Sequence, residues 1–208
     1  MDSFETHSFE TPDQLDKWLD LNHQTEPELW VRIFKKESGT LTVTWDDCVV
    51  VALAWGWIDG QRKSLDDVSF LQRLTPRRPK SNWSQRNRDH AERLISEGRM
   101  RPSGLAHIDA ARQDGRWENA YAGSSEMVMP DDFLQELQSH PVAKQFFDTL
   151  DRRNLYAIYY RLQTAKRAAT RKKRMADILS QLARGEAFHG QIAKGLAPGE
   201  DLEGSEQT

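Results

Sequence analysis

The feature that most constrains this chain is an uninterrupted apolar run of 11 residues, Cys48 to Ile58. It is too short to cross a bilayer, which takes about 20 residues. Thr44 is placed to cap a helix from Trp45 to Trp55. Asp46 and Asp47 suit the positive end of its dipole, and Gly56 ends it. A helix apolar on most sides is buried on most sides, so the rest of the chain must wrap around it. With 208 residues, 38% of them hydrophobic, there is enough chain to do so.

Before this helix, Phe4 to Glu10 reads as a strand, and Thr11-Pro12 starts a helix that buries Trp18 and Leu19. Leu29 to Phe34 alternates like a strand, Lys35 to Thr40 is a polar turn, and Leu41 to Val43 is a short extended piece. After it, Trp57 to Asp59 is a short strand turning at Gly60, and Val68 to Leu74 is a second strand, ended by Pro76. Ser81 or Ser84 caps a helix reaching Glu97, and another helix runs from Ser103 to Gln113. Beyond residue 130 the periodicity is purely helical: a helix starts at Pro130, and three more cover Val142 to Leu150, Asn154 to Leu162 and Thr164 to Gly185. The expected fold class is α+β. A small sheet of short strands packed with helices fills residues 1–117, followed by a linker over 118–129, an all-helical module over 130–187 and a disordered acidic tail over 188–208.

Composition excludes several functions. One cysteine, Cys48, rules out an intrachain disulfide framework and Cys-cluster metal sites. The six histidines have no metal-ligand spacing. Neither a Gly-rich phosphate loop nor a Gly-x-Ser-x-Gly elbow occurs. No cofactor or metal is expected. The opening Met1-Asp2-Ser3-Phe4-Glu5 has neither a basic nor an apolar leader region, so the expected location is the cytoplasm, with no membrane span.

The net charge of -3 hides segregation. Residues 1–30 carry eight acids against Lys17; residues 71–101 carry nine Arg/Lys against three acids; residues 152–174 carry nine Arg/Lys and no acid. Two candidate sites follow. The first gathers strand ends and a helix start: Trp57, Asp59, Arg77, Arg78, Ser81, Trp83, Asn87 and Arg99. Free N–H groups at a helix start, with several arginines beside them, form a clamp for a small phosphate or carboxylate. Asp59 there is either a general acid/base of an enzyme on such a substrate or a plain arginine partner. Arg77 and Arg78 have Asp46, Asp47, Asp59 and Asp66 as candidate partners. The second site is the basic segment Lys166, Arg167, Arg171, Lys173 and Arg174, a nucleic-acid or protein-binding alternative that lacks interleaved aromatics.

These residues resemble those of the YdeI/OmpD-associated family, the bacteriocin-protection proteins. The resemblance covers about residues 4–187. It rests on Trp18-Leu19 with Asn22-His23, Lys35-Lys36, Ala54 to Gly60, Thr75 to Arg78, Ser81 to Ser84, Asn87, Gly98 to Met100, Gly104 and Gly115 to Trp117. In the helical part it rests on Ala165 to Arg167, Thr170-Arg171 and Arg174. Ala54-Trp55 stands where the family pattern has a smaller pair. The resemblance implies a bacterial, cytoplasmic protein and no particular reaction.

Overall fold

A computed structural model describes residues 5–190. Phe4 and the expected tail residues 191–208 lie outside the described residues. The chain divides into two compact units, Met1–Ser125 and Glu126–Thr208. Among the described residues all four strands lie in the first, and from Asp131 onward the elements are helices.

The apolar run forms helix α2 (Trp45–Ala54), in which Cys48 through Ala54 are all buried. Its entry is a capping box. The Asp47 backbone N–H donates to Thr44 Oγ1 at 3.1 Å, and the Thr44 backbone N–H donates to Asp47 Oδ2 at 2.8 Å. Asp47, named above as an arginine partner, is thereby committed to its own helix. Around α2 stand α1 (Pro12–Asn22), α3 (Gln85–Ser96), α4 (Pro102–Gln113) and a four-stranded sheet. The sheet has the order β1-β2-β4-β3, from β1 (Thr6–His7), β2 (Leu29–Phe34), β3 (Trp57–Ser64) and β4 (Ser69–Pro76). β1 is parallel to β2, and the other pairs are antiparallel. Trp57 and Leu74 on the inner face are 1% and 0% exposed.

Several boundaries differ from expectation. β1 is only two residues long because the chain leaves the sheet after His7: Phe9 is buried and its carbonyl accepts the Val43 N–H at 2.9 Å. The 41–43 piece is thus held extended without being a strand. Gly60 does not turn the chain. β3 runs on to Ser64, with an irregular register between Asp59 and Arg62. The reversal comes at 65–68, where Asp66 accepts the Val68 N–H at 3.0 Å and the Ser69 hydroxyl at 2.7 Å. Ser84, not Ser81, caps α3, accepting the Asn87 N–H at 3.1 Å. The first residues of the expected linker pack on the first unit. Ala120 joins its core, and Tyr121 bonds back to 83–85 through Tyr121 N–H to Trp83 O (3.0 Å) and Gln85 N–H to Tyr121 O (2.8 Å).

The second unit comprises α5 (Asp131–Gln138), α6 (Pro141–Phe147), α7 (Arg152–Gln163) and α8 (Ala168–Ala183). Its core is built on Phe133, Leu137, Ile158, Leu162, Ile178 and Leu182. Asp151 caps α7 by accepting the Asn154 N–H at 2.8 Å. α8 starts at Ala168 rather than Thr164, because the Thr164 hydroxyl donates to Tyr160 O (2.6 Å) and closes α7. Among the described residues no helix is long and apolar enough to cross a membrane.

Candidate functional site

The candidate site begins where β4 ends. Arg77 follows Pro76, and its backbone N–H donates to the Gly56 carbonyl at 2.9 Å, joining the end of β4 to the turn between α2 and β3. Gly56 has φ +74°. A Cβ there would lie 2.8 Å from His107 Cδ2 and 2.9 Å from the Ser103 carbonyl oxygen. The glycine therefore lets α4 press against the start of β3.

The Arg77 side chain is only 3% exposed. Its guanidinium lies over the Trp83 ring, 3.9 Å from the centroid, and Nη1 donates to the Asn82 carbonyl at 3.1 Å. Nε and Nη2 are buried with no hydrogen-bond partner, and so is Nε1 of Trp83. Ser103 Oγ, on the residue whose carbonyl meets Gly56, is also buried and unpartnered. Among the described residues six buried side-chain polar atoms lack a partner, and three of them belong to Arg77 and Trp83, which are in contact. An unpaired buried polar atom costs about 1–3 kcal/mol, and a charged one more. Unsatisfied polarity is therefore concentrated here. Burial lowers the Arg77 pKa to about 10, with Arg116 acting the same way and Tyr121 and Asp59 opposing.

Two side chains that the sequence reading left out complete the neighbourhood. Arg116 is 7% exposed and paired: Nε is 2.7 Å from each Asp114 carboxylate oxygen, and Nη1 donates to the Ser81 carbonyl at 2.7 Å. His107 has its pKa lowered, by burial first and then by Arg77 and Arg116. Its imidazole is thus neutral at neutral pH. Trp117 packs edge-on against Trp83 at 4.9 Å. Arg116 carried a signal in the sequence, since it sits between Gly115 and Trp117 at the end of the constellation. His107 carried none.

Of the eight residues expected together, the structure joins Arg77 and Trp83, with Asp59 in electrostatic range of Arg77. Asp59 does not engage the arginine's fork, since Nε and Nη2 are unbonded. Ser81 contributes a carbonyl to Arg116, and Asn87 contributes its N–H to the Ser84 cap. Trp57 is a core residue. Its indole N–H donates to the His23 carbonyl at 3.2 Å, and Trp18 meets it edge-on. Arg78 is exposed. Arg99 is exposed too and donates to Glu97 at 3.0 Å, on the rim of a separate cleft of about 260 Å³ with Asp13, Asp16 and Arg101. The other carboxylates considered as partners are engaged elsewhere, Asp46 by Arg86 and Asp66 by Arg32.

In the basic segment, Arg171 and Arg174 are structural ties. Arg171 grips Asp132 with Nε and Nη2 and donates through Nη1 to Leu162 O at 2.8 Å. Arg174 donates to Arg161 O at 2.7 Å. Both cations thus meet carbonyls at the C-terminal end of α7, where the helix dipole favours them. Lys166, Arg167 and Lys173 are exposed.

Comparison with known proteins divides at a similar place. Residues 7–107 match a family model described as a domain of unknown function (DUF8412). Residues 126–185 match the model described as Bacteriocin-protection, YdeI or OmpD-Associated. No curated protein and no solved structure matches the chain. The helical match covers all four helices of the second unit and both arginine ties. Over residues 126–185 this chain is therefore similar to the Bacteriocin-protection, YdeI or OmpD-Associated family.

Proposed function

We propose that the first unit is a binding module for a small anion, with Arg77 at its centre. One observation carries the reading: a guanidinium that is 3% exposed holds a single hydrogen bond, to the Asn82 carbonyl. A buried charge with no ion-paired partner destabilises a fold, and a chain that keeps one gains something other than stability from it. Trp83 supplies a second unpartnered donor and a ring face, while Tyr121 and His107 lie in electrostatic range. No bond-making step is needed to account for this arrangement. A nucleic-acid role for the second unit draws less support, because two of the five basic residues named for it are occupied as helix ties.

The test is thermal unfolding of the full chain with and without sodium phosphate or sodium acetate, at matched ionic strength against sodium chloride. All seven tryptophans lie between residues 18 and 117, so their fluorescence follows the first unit. An anion held at 100 times its Kd raises stability by about 2.7 kcal/mol. Arg77→Met removes the buried charge at similar volume. It is expected to melt at or above the wild-type temperature without anion and to lose the anion response. A wild type indifferent to both anions, with Arg77→Met strongly destabilised, would make Arg77 a structural residue and end the proposal.

A further inference from the structure

The arrangement of donors on Arg77 narrows the ligand. A guanidinium has two edges that accept an anion side by side, and one of them is formed by Nε–H and Nη2–H. Those are the two nitrogens without a partner, while the third, Nη1, is held at 3.1 Å by the Asn82 carbonyl. The centroid of the Trp83 ring lies 3.9 Å from the guanidinium carbon. What remains unbonded is thus the forked edge formed by Nε and Nη2, which surrounding protein closes off from solvent in this structure.

We propose that this fork receives a carboxylate, bound bidentate through its two oxygens to Nε–H and Nη2–H of Arg77. The assignment rests on the anion-binding reading above and adds the class of anion. The fork alone suits carboxylate and phosphate equally, so local charge has to separate them. Arg116, the other buried cation, already has both oxygens of Asp114 at 2.7 Å from Nε. His107 adds no charge at neutral pH, for the reasons given above. Asp59 contributes negative charge within range of Arg77. The site therefore offers at most one uncompensated positive charge. A planar monoanion matches it. A phosphate monoester or sulfate brings a second negative charge into a water-poor site, where like charges repel most strongly.

The experiment is competitive binding to the full chain, followed by tryptophan fluorescence at pH 7.5 and constant ionic strength. The probes are sodium acetate, sodium sulfate, sodium phosphate and an acetylated dipeptide with a free terminal carboxylate. Acetate and the dipeptide are expected to bind at least tenfold more tightly than sulfate or phosphate, and the tighter of the two identifies a free acid or a chain terminus as the source. Arg77→Lys keeps the charge and removes the fork, and is expected to weaken carboxylate binding at least tenfold. Trp83→Phe removes the adjacent indole donor and is expected to weaken it less. Sulfate or phosphate binding as tightly as acetate would overturn the carboxylate assignment and leave the anion site standing. Full affinity in Arg77→Lys would overturn the bidentate grip. No response to any of the four probes would overturn both this assignment and the reading beneath it. Should Arg77→Lys not fold, the wild-type competition between acetate and sulfate decides the class unaided.

Discussion

Replacing Gly56 with alanine separates two costs that usually arrive together. Gly56 and Gly98 both follow a helix and have nearly the same backbone, φ +74° and φ +67°. An L side chain in this region costs about 1–2 kcal/mol, and the reduced freedom of the unfolded chain is the same for both substitutions. Their surroundings differ. At Gly98 nothing lies within 4 Å of an added Cβ, whereas at Gly56 it meets His107 Cδ2 at 2.8 Å and the Ser103 carbonyl oxygen at 2.9 Å. The imidazole can swing away, but the carbonyl belongs to the first turn of α4 and moves only with the helix. Overpacking of that kind costs about 1–3 kcal/mol. Gly98→Ala is therefore expected to lose about 1–2 kcal/mol and Gly56→Ala about 2–5 kcal/mol. Gly104 supplies the converse arm, a clash without a left-handed backbone: its Cβ would lie 2.5 Å from the Ala54 carbonyl oxygen. Urea denaturation followed by tryptophan fluorescence reads all three in the first unit alone. Equal losses at Gly56 and Gly98 would refute the close approach of α4 to the β3 start, and with it the placement of His107 and Ser103 beside Gly56.

Two further outcomes are expected. Asp132 has its carboxyl held below the usual range, chiefly by the Arg171 hydrogen bonds. Its folded pKa lies under its unfolded one, so its stabilisation is complete above about pH 4 and is lost as pH falls through the folded value. Amide exchange of α8 compared between wild type and Asp132→Asn should differ at pH 7 and converge in acid, and a difference constant with pH would refute the pairing. The Cys48 thiol is pushed up to about 12 by burial, with Asp47 and Asp59 adding to it. Iodoacetamide at pH 8 should leave it intact in the folded protein and modify it in urea, and labelling of the folded chain would contradict its burial.

Much of the fold was legible wherever a local rule decided it. Thr11-Pro12, Thr44 with Asp47, and Leu29 to Phe34 each carry their signal within a few residues, and each element lies where that signal puts it. Gly60 misled because a glycine inside a strand looks like a turn in one sequence. Pairing with β4 carries the strand past it, and the Gly60 carbonyl accepts a Gln72 side-chain N–H at 3.1 Å. The site was legible only in part for the same reason. Arg77 and Trp83 are close in sequence, and helix-start chemistry flagged them. His107 reaches Gly56 by the packing of α4 against the end of α2, a contact across some fifty residues that no local pattern encodes.

Charge density was the weaker guide, as two arginines demonstrate. Arg171 lies in the most basic stretch, yet all three of its guanidinium nitrogens have partners, on Asp132 and on the Leu162 carbonyl. Its positive charge answers a carboxylate and a helix C-terminus, so removing it strands Asp132 and a carbonyl. Arg77 lies in a stretch of more mixed charge, is more deeply buried, and has one nitrogen of three engaged. Removing it strands only the Asn82 carbonyl. Desolvation grows with burial while compensation grows with partners, so the residue that offers most to a ligand is the one for which these two quantities are furthest apart. By that criterion Arg77 stands out from the other arginines of both basic stretches, although its neighbours in the sequence, Arg73 and Arg78, carry the same charge. Arg73 is held by Glu28 and Arg78 is exposed at the surface, so neither brings an uncompensated charge indoors.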